Sequence, residues 1–309
     1  MASPPDLICL GEPMVEFNRP PQGDGFTWVQ GFGGDTSNAA IAAARQGARV
    51  GYATALGQDW MGDALLALWA REGIDTTRVS RHATAPTGVY FVTHGEQGHK
   101  FDFLRKGSAA SLMDASNLPN GWLAGTRVLH VSAISQAISG AAERCCAAAI
   151  DTARAAGVKV SYDTNLRLRL WDIGRARSVI DATVAQCDLL FPSLDDSRLL
   201  TGLRDPDEIV DRYLAMGVPL VLLKMGADGA LVATASSRHR LAPLAVRPVD
   251  ATGAGDCFAG SFLARWLAGD SPLTAARYAN VAAALSTRGF GAVAPIPSRA
   301  EVEIGLRRS

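Results

Sequence analysis

The most constraining feature of this chain is a steady alternation of short apolar runs with helical patterns. "LICLGE" is followed by "SNAAIAAARQG", "RVGYATAL" by "DWMGDALLALWAREG", and "RVLHVSA" by "GAAERCCAAAIDTARAAG". The rhythm continues through "KVSYDT", "RARSVIDATVAQ", "DLLFPS", "DPDEIVDRYLAMG" and "PLVLLKMG". Parallel strands need a crossover between them, and helices of this length supply it. The expected fold is therefore α/β: a doubly wound, mostly parallel sheet with helices on both faces. "GALVAT" and "LAPLAV" read as closing antiparallel strands, and two long helices end the chain. At 309 residues, 48% hydrophobic and 19% charged, the chain can bury a sizeable core as one domain spanning 1–309.

Two segments break the rhythm. "MVEFNRP", and "TGVYFVTH" with "HKFDFLRK", are strand-like runs with no helix between them. Their alternation suggests a small separate β-sheet, a lid drawn from within residues 13–33 and 86–106. A surface hairpin is the plainer alternative.

Thirty basic and thirty acidic residues cancel, which argues against a nucleic-acid or membrane-surface partner. No basic n-region with an apolar core opens the sequence, and no apolar run is long enough to span a bilayer. Cys9, Cys145, Cys146, Cys187 and Cys257 show no CxxC spacing and read as reduced thiols of a cytoplasmic protein.

Ligands of open parallel sheets sit beyond the carboxyl ends of the strands. There, "RPVD" reads as a strand end running into "ATGAGDCFAGSFLARWLAG". Phe258, Phe262, Leu263, Trp266 and Leu267 recur at helical spacing, so Gly253, Ala254 and Gly255 lie where a helix begins. A helix start offers free N–H groups and partial positive charge, and glycines let a phosphate approach them. Asp256 closes this turn. It is either an ordinary first-turn acid or a base beside a phosphate site, and the turn alone leaves both open. The sequence holds no P-loop, no strict GxGxxG after the first strand, no GxSxG elbow and no HExxH.

"DATGAGDCFAGSF" resembles the carboxyl-terminal signature of the ribokinase-like (PfkB) carbohydrate kinases, D-T-x-G-A-G-D-x-F. "GFGGDTSNAAIAAARQGARVGYATALGQDWMG", residues 31–62, resembles their amino-terminal signature, with its glycine pair, its asparagine (Asn38) and a G-x-D-x-x-G. The resemblance implies an ATP- and Mg2+-dependent sugar kinase in which Asp256 is the general base. It also implies that the Gly253–Asp256 backbone receives the developing phosphoryl charge. "LLFPSLDDSRLL" occupies the place of the family's N-x-x-E motif, with Ser193 and Asp196 at its Asn and Glu positions. Asp196 thereby becomes the candidate metal ligand; a plain helix cap is the other reading. Lys224, Gly226 and Gly229 in "VLLKMGADGA" match the family's segment beside ATP, though a strand-end lysine is commonly just solvated. Asn280 and "RGFGAV" resemble the adenine-side and cation-loop region, so a monovalent cation joins the expected cofactors.

"GGDTSNAA", "RKGSAAS" and "NLRLRLW" together resemble the 2-keto-3-deoxygluconate kinase branch. The implied acceptor contacts fall on Gly34, Asn38, Tyr90, Phe103, Arg105 and Arg167. Guanidiniums are natural partners of carboxylates, so Arg105 and Arg167 suit an acidic sugar, each being a surface ion pair otherwise. Phe103 lacks the hydroxyl of the family's usual tyrosine, a loss of about 1 kcal/mol if that bond matters. The acceptor expected is a small sugar acid, the alternative a neutral sugar as in fructokinases or ribokinases. A non-catalytic sensor on the same fold is a further alternative. Lids in this family often pair between subunits, which implies a homo-oligomer.

Overall fold

A computed structural model describes residues 3–20, 24–95 and 98–308. In chain order its strands and helices are β1 (Leu7–Leu10), β2 (Met14–Asn18), β3 (Val29–Gly33), α1 (Asp35–Arg45), β4 (Val50–Gly57), α2 (Trp60–Arg71) and β5 (Asp75–His82). β6 (Gly88–Gly95), β7 (Gly98–Leu104), β8 (Val128–Ser132), α3 (Ala133–Ala137), α4 (Gly140–Ala155), β9 (Lys159–Asp163) and α5 (Ile173–Val184) follow. The remainder is β10 (Leu189–Leu190), α6 (Leu194–Thr201), α7 (Pro206–Ala215), β11 (Leu220–Lys224), β12 (Ala230–Ala233), β13 (Arg238–Leu241), α8 (Ala254–Leu267), α9 (Pro272–Ser286) and α10 (Arg299–Leu306).

Nine strands form the main sheet in the order β13-β12-β11-β10-β9-β8-β1-β4-β5. Every pairing from β11 to β5 is parallel, and only β12 runs against the rest, pairing antiparallel with both β11 and β13. From β1 the chain moves outward through β4 to β5, then returns to lay β8 on the other side of β1, with Leu7 opposite both Val50 and Val128. The direction of winding reverses between β1 and β8, which opens a crevice at their carboxyl ends. The strands are buried on both faces, as crossover-covered parallel strands must be. Along β1, Leu7 and Cys9 join the core under α1, α2, α8 and α9, while Ile8 and Leu10 join the core under α4, α5 and α7. Single residues thus alternate between two hydrophobic cores.

The breaks in the rhythm form a second sheet, in the order β3-β2-β6-β7, with β2 and β6 parallel at its centre. This bears out the separate small sheet; residues 21–23 and 96–97 of the expected ranges lie outside the described residues. Its two hairpins leave the main sheet at different points, β2–β3 after β1 and β6–β7 after β5.

Three expectations need correction, and one strand was not foreseen. "LAPLAV" is not a strand. The last strand is the preceding "RHRL", whose pairing with β12 stops at Leu241, and Pro243 has no N–H to extend it. "RPVD" is not a strand either, because the N–H groups of Val249 and Asp250 donate to the Thr287 carbonyl at 2.7 and 3.1 Å. The chain ends in three helices rather than two, α10 being set off by a Ser298–Glu301 capping box. "DTTRVSRH" forms β5, an edge strand whose half-buried polar side chains gave no apolar signal.

Candidate active site

The crossing of α1 and α8 builds the centre of the site. A Cβ on Gly260 would lie 2.1 Å from the Ala39 carbonyl oxygen, so only glycine permits this approach. One turn earlier on α8 stands Asp256, and the neighbour of Ala39 is Asn38, whose Nδ2 donates to Asp256 Oδ2 at 2.8 Å. Asn38 was expected to bind the acceptor. Here it grips the carboxylate, while its own Oδ1 is buried with no partner among the described residues.

Gly253 caps α8 with φ of 76°, a left-handed conformation natural to glycine. The turn before it is tied by Asp250, which accepts from the N–H and hydroxyl of Thr252 at 2.9 and 2.7 Å and from Gly291 N–H at 2.9 Å. Gly255 and Asp256, in the first turn of α8, point N–H groups outward with no helical carbonyl to receive them. Ala254 does not share that role, because its N–H donates to the Ala251 carbonyl at 3.2 Å. The outward N–H groups of this turn are therefore fewer than the whole of 253–256 would offer.

Carboxylates crowd around this turn. Asp35, in the first turn of α1, accepts from Thr36 N–H at 2.8 Å and from Asn165 Nδ2 at 3.1 Å. Asp163, at the carboxyl end of β9, receives Lys224 Nζ at 2.5 Å from the end of β11. Burial pushes the Asp256 carboxyl up to about 8, with Asp35 and Asp163 adding to the rise and Asn38 and Lys224 opposing it. Burial also raises Asp35. Lys224 is thus a half-buried ion-pair partner rather than a solvated strand end, and a Cβ on Gly255 would sit 3.2 Å from its Nζ.

Ser193 caps α6, its hydroxyl accepting from Asp196 N–H at 3.1 Å, and Asp196 Oδ2 accepts from Leu166 N–H at 3.1 Å. Burial raises the Asp196 carboxyl. Among the described residues no group of three His, Cys, Asp or Glu side chains could hold a metal. A magnesium ion carried on nucleotide phosphates does not need one, since it keeps waters and takes one or two carboxylates. The donors present fit that mode and not a protein cage. Gly226 and Gly229 hold left-handed turns after β11, and a Cβ on Gly229 would meet the Leu241 carbonyl oxygen at 2.0 Å. Asn280 Nδ2 donates to the Ala242 carbonyl at 2.7 Å, so Gly229 and Asn280 flank the same bend after β13.

On the small sheet the acceptor candidates are partly committed. Tyr90 O–H donates to the buried Glu16 carboxylate. Phe103 stacks on Tyr90, ring centroids 5.7 Å apart. The Arg105 guanidinium is paired with Glu12, a fully buried carboxylate just past β1 that also accepts from Ser108 Oγ at 3.1 Å, while Arg105 Nε is buried with no partner among the described residues. Gly34 (φ 102°) is glycine because a Cβ would lie 2.3 Å from the Glu12 carbonyl oxygen. Arg167 is exposed, with one N–H on its neighbour's carbonyl, and its charge helps lower both Asp35 and Asp196. Glu12, Asp35, Asp163 and Asn165 were not singled out from sequence. Each lies just beyond the carboxyl end of a strand or at a helix start facing it, and that position is the signal that could have found them.

A parallel sheet whose winding reverses at β1, a glycine turn with free N–H groups and a half-buried carboxylate beside it are parts that suit phosphoryl transfer. The pfkB family carbohydrate kinase profile matches residues 4–299, and the chain belongs to that family. A 2-dehydro-3-deoxygluconokinase of Thermoproteus tenax is 33% identical, over 96% of this chain and 93% of that protein. Fructokinase-1 of Oryza sativa subsp. japonica is 31% identical, over 96% of both. A ribokinase-type protein of E. coli, solved with ATP and Mg2+, superposes over the whole of both chains with a TM-score of 0.91 at 26% identity. The protein is accordingly a carbohydrate kinase. No helix among the described residues is long and apolar enough to cross a membrane.

Proposed function

We propose that this kinase transfers the γ-phosphoryl group of ATP to the 6-hydroxyl of 2-keto-3-deoxygluconate. The observation that carries the chemistry is Asp256, half-buried beside the glycine turn and oriented by Asn38. Asp256 takes the proton of the acceptor hydroxyl as that oxygen bonds to the γ-phosphorus. The bond from phosphorus to the β–γ bridging oxygen breaks, and ADP leaves. The N–H groups of Gly255 and Asp256 face the charge gathered on the moving phosphoryl oxygens, in a water-poor site where fixed dipoles act strongly. Magnesium carried on the nucleotide phosphates would neutralise part of their charge. Asp196, whose carboxylate accepts from Leu166 N–H, would hold one of its waters. Ser193, Lys224, Gly226, Gly229 and Asn280 border the nucleotide, and the loop held by Asp250 is the place for a monovalent cation.

The acid acceptor is supported by the deoxygluconokinase relatives and by Arg167, an exposed cation without a carboxylate pair among the described residues. The small sheet acts as a lid over the acceptor. The reading includes a homo-oligomer in the cytoplasm; large apolar side chains exposed near the sheet's outer strands, Val29 and Leu104 among them, suit an oligomer. A neutral sugar is the second reading, favoured by the pairing of Arg105 with Glu12 and by the fructokinase relative.

ADP release with MgATP against 2-keto-3-deoxygluconate, its galactonate epimer, gluconate, fructose and ribose tests both. Turnover of the keto-deoxy acids that is lost in Asp256→Asn is the expected result. Turnover of fructose or ribose alone would discard the acid acceptor, and no effect of Asp256→Asn would discard the base.

A further inference from the structure

We propose that a cleft beside α10 binds a small organic phosphate, an anion carried on an apolar body, at a site apart from the catalytic centre. The cleft has a volume of about 1260 Å3 and lies between the segment 242–247, the loop after α9 and α10 itself. It shares no lining residue with Ser193, Lys224, Gly226, Gly229 or Asn280, the positions proposed to border the nucleotide. Its walls are fixed from behind. The N–H groups of Val249 and Asp250 on the Thr287 carbonyl join the segment 242–247 to the end of α9. Arg45 Nη1 donates to the Val293 and Ile296 carbonyls at 3.1 and 2.6 Å, and Gln46 Nε2 to the Pro297 carbonyl at 2.8 Å. α10 presses on α9 so closely that a Cβ on Gly305 would lie 2.6 Å from Val281 Cγ1. The cleft is thus formed before any ligand arrives, and little ordering opposes binding.

Its lining is of two kinds. Leu244, Leu285, Ile296 and Ile304 supply apolar surface. Arg247, Arg288 and Arg308 come to the same cleft from three separate segments, and none of them makes an ion pair or a side-chain hydrogen bond among the described residues. The lining has one carboxylate, Glu301, and its Oε2 is taken by the N–H and hydroxyl of Ser298, each at 2.7 Å. Three cations therefore face one committed acid, in a chain whose thirty acids and thirty bases balance. Clustered arginines elsewhere are answered: Arg238 and Arg240 pair with Asp207 and Asp211. Guanidiniums present paired donors that match phosphate oxygens. A bare inorganic ion would leave the apolar surface unused, and a neutral apolar molecule would leave the charges unanswered. A phosphate on an apolar or ring-shaped body uses both, and the volume takes a small organic molecule.

Phenyl phosphate is the probe, with inorganic phosphate as charge without body and phenol as body without charge. Each is titrated by calorimetry into the full chain, alone and saturated with MgADP so that the nucleotide site is filled. The expected result is one equivalent of phenyl phosphate bound about tenfold or more tighter than either fragment, with MgADP present as without it. The double change Arg247→Gln, Arg308→Gln should weaken that binding about tenfold or more, the loss of charge-assisted contacts. Arg247→Lys with Arg308→Lys keeps the charge and should stay within about threefold, which separates charge from any disturbance of the fold. Arg71→Gln, in the last turn of α2 and outside the cleft, should stay within about twofold. No binding of phenyl phosphate at about 10 mM would overturn the proposal, since an affinity weaker than that is no more than a diffuse surface charge gives. Binding abolished by MgADP would place the phosphate in the nucleotide site and overturn it equally. So would a double Gln variant that binds as wild type does.

Discussion

Gly260→Ala tests whether the α1–α8 crossing sets the catalytic geometry. The new Cβ would stand 2.1 Å from the Ala39 carbonyl oxygen, against an ordinary carbon–oxygen approach of about 3.3 Å. The contact is to backbone, so no side chain can rotate away, and the helices must part by about 1.2 Å. If that movement falls along the bond from Asn38 to Asp256, now 2.8 Å, the pair passes out of hydrogen-bonding range. Overpacking of this kind costs about 1–3 kcal/mol, and displacing a catalytic group by an ångström lowers turnover on the order of a hundredfold. Thermal unfolding should shift down by about 2 °C per kcal/mol in a chain of this size. The control is Gly140→Ala at the start of α4, where the nearest atom is the far end of Arg144 at 3.5 Å and φ is ordinary. Melting temperature and kcat are compared across wild type and both variants. A Gly260→Ala enzyme with unchanged melting temperature and kcat within twofold would refute the argument.

The raised Asp256 carboxyl predicts that kcat/KM climbs with pH through an acidic limb near 8, since the base must be ionised. Because Asp35 adds to that rise, Asp35→Asn should move the limb to lower pH; a limb that stays or moves up would contradict the assignment. The same group makes a stability statement. Its folded value lies above the ordinary 3.8, so the favourable contribution is full below 3.8 and is lost as pH rises through about 8. Asp256→Asn should therefore raise the melting temperature more at pH 8.5 than at pH 5, by differential scanning calorimetry. Arg105→Ala leaves Glu12 buried and unpaired, and should cost about 3–5 kcal/mol in urea unfolding, whereas the double change Glu12→Met, Arg105→Met should recover most of it. Equal losses in the single and double variants would show that packing, not charge, decides that contact.

Much of the architecture could be read from the chain because its causes are local. Strand-helix alternation dictates crossovers, and crossovers dictate a parallel sheet, as β1 to β11 display. The closing segments were harder to read. "LAPLAV" has strand-like residues, yet Pro243 cannot extend the ladder, while "RHRL" has no apolar face and pairs all the same because β12 offers a partner. At the site, Asp256 and the glycine turn were legible as one contiguous pattern. The pairings that tune them join residues far apart in sequence: Asn38 with Asp256, Lys224 with Asp163, Glu12 with Arg105. Nothing in "GEPMVEF" announces that Glu12 will be buried against an arginine more than ninety positions away. Which cations are spent inside the protein and which remain for a substrate is a tertiary fact.

The small sheet is stitched from two excursions that leave the main sheet at separate strands and meet along one parallel seam, β2 against β6. Neither excursion contains Asp256, Gly253, Asp163 or Lys224. The acceptor contacts proposed on this sheet and the residues proposed for phosphoryl transfer therefore lie in different stretches of the gene. The sequence of the small sheet can change while the residues around Asp256 stay as they are. The two hairpins must change in concert, because Glu16 on one answers Tyr90 on the other. Such a division makes a kinase whose chemistry is inherited whole while its appetite drifts.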